Sequence, residues 1–271
     1  MASKWNAGGE KKLCEEGGRE EEEEKNCPVK HAPEFTKCME SFFKSCELLG
    51  IRIMKVIALG LGLETDFFIN KHKKIGKNQN PTTLRTAYYP SIQKSSVKEY
   101  QMQCGEHSNY GTFTLLFQDQ NGGLEVMHKS GQYFAAPYIQ NTVLLNMGNL
   151  LQRWTSDTLI STKHRVPVPQ SDDMLNSPQQ LVAFFVHPDH NAILACCNGL
   201  DKYPPIISIQ YLKATHSEIF SRESYPTGDR TEYQPANMQE DFPNCRFKLI
   251  KLIYQRINKF ISAPEAMSFT S

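Results

Sequence analysis

From Pro33 onward the chain carries a helical repeat. Phe35, Met39, Phe42, Phe43, Cys46, Leu49, Ile53, Val56, Ile57 and Leu59 recur at helical spacing until Gly60 and Gly62 interrupt the run. That pattern gathers apolar side chains on one face and predicts a long amphipathic helix. A second, short helix is predicted around Asp66 to His72. After Pro81 the period changes. Short β-type stretches run over Leu84–Tyr89, Gly111–Phe117, Leu124–Lys129, Thr142–Met147, Leu159–Val166 and Gln180–His187. Turn signals separate them: Asn121-Gly122-Gly123, Ser130-Gly131, Gly148-Asn149 and His187-Pro188-Asp189. Many short strands with such punctuation predict a mainly β protein with flanking helices, a jelly-roll or barrel in place of alternating β-α-β units. A last helix, from about Phe242 to Ile261, would place Phe247, Ile250, Tyr254, Ile257 and Ile261 on one face, its lysines lying elsewhere on a solvated side.

The stretch before Pro33 reads differently. Gly8-Gly9, Gly17-Gly18 and the run Glu20 to Glu24 make it polar, like-charged and interrupted by glycine, so it predicts a disordered acidic leader over residues 1–32. The whole chain, 271 residues with 39% hydrophobic and 22% charged side chains, is ordinary for a globular protein with a sizeable core. A formal net charge of +1 points to neither nucleic acid nor an anionic membrane as partner. No apolar run is long enough to span a bilayer. The start, Met1-Ala2-Ser3-Lys4-Trp5-Asn6, has no apolar signal core, and eight cysteines include no Cys-x-x-Cys pair. Reduced thiols and a cytoplasmic location are therefore expected.

Two of the eight histidines stand out by position. His107 is expected to open a strand, and His164 to close another. On a jelly-roll, two strand-end histidines meeting at one mouth would share a metal through neutral imidazole nitrogens. Taken alone, the pair fits two structural histidines at least as well.

The surrounding text raises the signal. Gly105 to Asp119 reads Gly-Glu-His-Ser-Asn-Tyr-Gly-Thr-Phe-Thr-Leu-Leu-Phe-Gln-Asp and is followed by Gly122-Gly123-Leu124-Glu125-Val126. Thr142 to Asp157 and Ser161 to Pro167 follow in order, and Leu84-Arg85 through Tyr88-Tyr89-Pro90 precedes them. Together these segments resemble the iron(II)- and 2-oxoglutarate-dependent dioxygenases, in particular the isopenicillin N synthase-like branch. The resemblance spans about residues 33–220. It implies a double-stranded β-helix, an oxidoreductase acting on a small organic molecule, and Fe(II) and 2-oxoglutarate as cofactors. It also divides the chain into a helical support region over 33–80, the oxygenase-like barrel over 81–222 and a C-terminal extension over 223–271.

Carried over by position, the metal ligands would be His107, Asn109 and His164, and the co-substrate positions Tyr89, Gln179 and Leu181. Three departures follow. Asn109 stands where the family has an aspartate, so the two-histidine, one-carboxylate triad loses its negative charge. Asn109 also partly fills the vacancy that a halide-transferring relative keeps. Gln179 and Leu181 stand where the family has Arg and Ser, so a charged bidentate fork for a carboxylate gives way to a neutral amide and an apolar group. Arg85 and Arg165 are the nearby cations that could substitute. The family's N-terminal segment, which helps close the pocket, is expected to be replaced here by the acidic leader, opening the pocket to water. The implied function is an iron/2-oxoglutarate oxygenase-family oxidoreductase with impaired iron and co-substrate sites, weak or inactive. The alternative is a non-catalytic binding or interaction module on the same barrel.

Overall fold

The structure, a computed structural model, describes residues 2–5, 33–97, 101–169 and 171–222. The chain separates into two compact units. One comprises Met1–Gly8 with Lys71–Pro243, the other Gly9–Asn70 with Asn244–Ser271. In the second, the predicted long helix is present as α1, Pro33–Gly60. Its buried face carries Met39, Phe42, Phe43, Cys46, Leu49, Met54 and Ala58. Leu63 N donates to Ala58 O and Gly62 N to Leu59 O, the paired bonds of a Schellman ending that satisfies the last carbonyls. The short helix expected around Asp66 to His72 is instead a series of turns closing in one 3-10 turn, Ile69–Lys71. The stretch has too few residues to propagate an α-helix past its nucleus.

The other unit is mainly antiparallel β. A five-stranded sheet runs β1 (Ala2–Trp5), β2 (Thr83–Tyr89), β9 (Gln179–Val186), β4 (Phe113–Gln118), β7 (Leu144–Met147). A four-stranded sheet runs β3 (Met102–His107), β8 (His164–Pro167), β5 (Glu125–Met127), β6 (Tyr133–Ala135). A small pair joins β10 (Ile193–Leu194) to β11 (Ile206–Ile207). This is the jelly-roll expected from the strand pattern. Residues 71–80 go with it by contact: Lys74 N donates to Asp189 Oδ1 at 3.0 Å and Asn80 Nδ2 to His187 O at 2.9 Å.

Register explains the core. In β2, β9 and β4, Leu84 stands opposite Phe184 and Phe184 opposite Leu115, while Phe113 faces Val186 and Phe117 faces Val182. All of these lie on one face and are buried. Each such side chain contributes roughly 1.5–3 kcal/mol on burial. The opposite face is mixed: Arg85 opposes Ala183, Ala87 opposes Leu181, Tyr89 opposes Gln179, and Thr114 opposes Asn146. That face carries the chemistry.

Several expectations are corrected. Ala2–Trp5, assigned above to the leader, pairs with β2 as an edge strand; edge pairing uses free backbone groups and needs no apolar alternation. Residues 6–32 lie outside the described residues, as does the helix expected at 242–261. The strand expected at Leu159–Val166 shortens to β8 because the preceding residues are held in a turn. There Leu159 N donates to Thr155 Oγ1 and Ser161 N to Gln152 Oε1, and Ser156 and Asp157 have positive φ. The strand β3 was not expected: its register shifts twice and its polar run hides the period of two. Helix α2 (Asn149–Trp154), the short α3 (Asp172–Leu175) and α4 (Ser208–Arg222) were also unannounced. Among the described residues no helix is long and apolar enough to cross a membrane.

Candidate metal and co-substrate site

His107 closes β3 and His164 opens β8, the reverse of the ends predicted for them. The outcome for chemistry is the same, because the two are direct register partners. Their ring centroids lie 4.3 Å apart at an interplanar angle of 57°. Each ring is oriented through Nδ1. His107 donates from Nδ1 to Gly105 O at 2.8 Å, and His164 from Nδ1 to Thr162 O at 3.1 Å. In the neutral ring this leaves Nε2 as the lone-pair nitrogen of His107, the form a metal ligand needs; at His164 the Asn146 amide nitrogen also lies 3.3 Å from Nδ1 and competes with the Thr162 carbonyl for it.

The electrostatics of the two rings diverge. Contact with the Cys104 thiol, 3.8 Å from Nδ1, raises the His107 pKa above the ordinary imidazole value. The same contact lowers the Cys104 pKa. Burial lowers that of His164, and the nearby His107 adds to the effect.

Asn109 is buried two residues beyond β3. Its Nδ2 donates to Thr114 Oγ1 at 2.9 Å, so the amide nitrogen is engaged and Oδ1 is the atom with ligand chemistry. Its backbone carbonyl accepts from Asn149 N at 2.7 Å, which ties the loop to the start of α2. The donor set thus offers two imidazoles and a neutral amide. Among the described residues no group of three or more His, Cys, Asp or Glu side chains is placed to hold a metal. Iron(II) fits two of the three positions here, and the charge-bearing third is lacking.

The co-substrate positions fit less well. Gln179 is buried and faces Tyr89 across the β2–β9 ladder. Its Nε2 donates to the Gly122 carbonyl, and its Oε1 has no partner. Leu181 sits between Ala87 and Gln118 and offers no hydrogen bond. Burial raises the Tyr89 pKa, so its hydroxyl stays protonated at neutral pH. Of the two substitute cations, Arg165 is committed elsewhere: Nε lies 2.8 Å from Glu125, and its guanidinium stacks 3.8 Å over the Tyr133 ring. Arg85 is half-buried, and among the described residues its Nε is buried without a hydrogen bond. Sequence reasoning missed Thr114, Asn146 and Cys104. Thr114 alone had a signal, since it alternates with the core residues Phe113 and Leu115. A separate pocket of about 220 Å³, lined by Asn149, Gln152, Arg153, Asp157, Tyr203 and Tyr211, includes none of the histidine pair.

A jelly-roll with two side-by-side histidines at paired strand ends has the architecture of the non-haem iron oxygenases. Comparison with known proteins agrees. Residues 81–188 match the model of the 2OG-Fe(II) oxygenase superfamily. The 2-oxoglutarate-Fe(II) type oxidoreductase ppzD of Metarhizium majus is 35% identical over 167 residues, which cover 60% of this chain and 46% of that protein. A full-length protein of Neurospora crassa, solved in complex with alpha-KG, superposes with a TM-score of 0.62 at 34% identity, covering 68% of this chain and 57% of that one. A 2OG-Fe(II) oxygenase family protein from Caulobacter crescentus superposes with a TM-score of 0.65 at 26% identity, covering 80% and 69%. The likeness to the 2OG-Fe(II) oxygenase superfamily lies in residues 81–188, the strands of the barrel. It spans about half the length of the curated relatives it matches.

Proposed function

We propose that this chain is an iron- and 2-oxoglutarate-dependent oxygenase-family domain whose metal and co-substrate sites are impaired, leaving it weak or inactive in the family's oxidation of small organic molecules. In this reading His107, His164 and Asn109 would hold iron(II), which when bound supplies the family's oxygen chemistry. The two histidines would ligate through Nε2, and Asn109 through a neutral carbonyl oxygen. The observation that carries the reading is the site's neutrality. Asn109 gives its amide to Thr114, and Gln179 gives its amide to Gly122, so neither presents a charge where the family has one. A hydrogen bond to a charged group is worth about 1.5–3 kcal/mol, and the co-substrate's distal carboxylate loses such a fork at Gln179. Leu181 adds desolvation without a partner.

A second reading, a non-catalytic binding module, is favoured by the same Gln179 contact, which holds the side chain on the protein itself. Oxygen uptake and succinate formation under saturating iron(II), 2-oxoglutarate and ascorbate decide the matter. Little or no turnover above a metal-only control is expected. Clear succinate production, abolished by His107→Ala and by His164→Ala, would restore an ordinary enzyme.

A further inference from the structure

The pocket lined by Asn149, Gln152, Arg153, Asp157, Tyr203 and Tyr211 lies wholly within the unit that carries both sheets and takes no residue from the histidine pair. Its walls are held by contacts among themselves. The Tyr203 hydroxyl donates to Asp157 Oδ2 and Gln152 Nε2 donates to Asp157 Oδ1, each at 2.9 Å. Lys202 forms an ion pair with the same carboxylate, so the charge of Asp157 is met by the protein itself. Arg153 is half-buried; its Nη2 donates to Pro204 O at 2.7 Å, and its guanidinium lies 4.9 Å from the centre of the Tyr203 ring. Among the described residues no carboxylate pairs with it, so it is the uncompensated charge of the pocket. Asn149 spends its main-chain N on Asn109 O, while its side-chain amide has no hydrogen-bond partner among the described residues.

These features select an anion with a flat apolar body. The Tyr203 ring already has two cations near it, Arg153 at 4.9 Å and Lys202 at 5.7 Å, so it has no vacancy for a cationic ligand. A guanidinium beside an amide donor matches a carboxylate. The pocket measures about 220 Å³, and a cavity of about 150 Å³ suffices for a benzene-sized ring, so the space takes one ring with one carboxylate and little more. We propose that this pocket binds a small aromatic carboxylate, its charged group on Arg153 and the Asn149 amide and its ring against Tyr203 and Tyr211. The walls are set before the ligand arrives, which spares it the cost of ordering them. The inference stands apart from the impaired-oxygenase reading and needs neither metal nor turnover.

The test uses the full chain, metal-free in chelator, with benzoate as the probe and calorimetric titration as the readout. Neutral benzamide and ringless acetate run in parallel. Wild type is expected to bind benzoate, and to bind benzamide and acetate at least roughly ten-fold more weakly, one lacking the charge and the other the ring. Arg153→Gln should weaken benzoate roughly ten-fold or more, with Arg153→Lys in between. Asn149→Ala, which keeps the main-chain bond to Asn109, should weaken it roughly three-fold or more. Replacing His107 and His164 together by alanine should leave benzoate affinity as it was, because the pocket excludes both. Thermal melting checks that each variant is folded, and if Arg153→Gln is not, Asn149→Ala carries the comparison. No benzoate binding by folded wild type overturns the proposal, as does equal affinity for benzoate and benzamide or for benzoate and acetate. Benzoate affinity unchanged in folded Arg153→Gln or in Asn149→Ala overturns it too, and so does loss of binding in the histidine double variant, which would put the benzoate in the other pocket.

Discussion

Asn109 donates its side-chain amide to the hydroxyl of Thr114 across 2.9 Å. The partner is a hydroxyl, which can accept from an amide and equally donate to a carboxylate. Asn109→Asp should therefore fold, with Thr114 rotating its proton toward the new group. It should also restore a charged oxygen donor beside His107 and His164. Anaerobic iron(II) titration is expected to show tightening of roughly ten-fold or more relative to wild type. Equal affinities would mean that Asn109 is not the third position of the site.

Gln179 behaves differently, because it is held through its amide nitrogen alone. It is buried, and its Nε2 is tied to the Gly122 carbonyl. Gln179→Arg alone places a cation there with no carboxylate to meet it, and should lower the melting temperature by several degrees. Combined with Asn109→Asp and Leu181→Ser, the loss should be recovered on adding iron(II) and 2-oxoglutarate, because the three positions act on one ligand. A melting curve of the triple variant that ignores 2-oxoglutarate would show that these positions do not share it.

Much of this was legible in the sequence, and the remainder shows where local pattern fails. Phe113, Leu115 and Phe117 alternate with Thr114 and Leu116, so β4 and its buried face follow from a period of two. His107 and His164 could be singled out from the family-like text around them, but not the strand ends they occupy. Gly105 and two register shifts break the alternation of β3, and β8 follows a turn held by Thr155 and Gln152. Nor could spacing reveal that Arg165 is taken by Glu125. That pairing depends on which strands become neighbours, here β5 beside β8.

Asp119 offers a pH-dependent test of the turn that leads to Gln179. Its carboxylate accepts from Asn121 N through Oδ1 and from Gln180 N through Oδ2, joining the end of β4 to the start of β9. Burial raises its pKa above the ordinary aspartate value, against the lowering effect of those amides. A folded-state pKa above the unfolded one means stability that is fully present below the unfolded value and lost as pH rises through the folded value. The difference in urea stability between wild type and Asp119→Asn should therefore shift toward the variant as pH rises above the ordinary aspartate value. Asp119→Ala, which leaves both amides without this acceptor, should cost about 1–3 kcal/mol at neutral pH. A wild-type-minus-Asn difference that is flat with pH would mean that the carboxyl titrates alike in both states.

The loop that carries Asn109 is held by close backbone approach. Thr112 N donates to Val186 O, and Gly148 N donates to Thr112 O, stacking the end of β9, the loop and the entry to α2. A Cβ on Gly111 would overlap the Val186 carbonyl and the His187 ring, and one on Gly148 would overlap the Gly111 backbone. These neighbours are mostly main chain and cannot step aside as a flexible side chain would. Gly111→Ala and Gly148→Ala should each destabilise by about 1–3 kcal/mol through overpacking. Both should also move Asn109, whose carbonyl is bonded to Asn149 N, so iron(II) binding in Asn109→Asp should weaken when either glycine is replaced. Gly105→Ala is the contrast: a Cβ there meets nothing within 4 Å, and urea stability should stay within about 0.5 kcal/mol of wild type. If Gly111→Ala melts like Gly105→Ala, the crossing of loop and strand is looser than drawn, and Asn109 is not held in place by it.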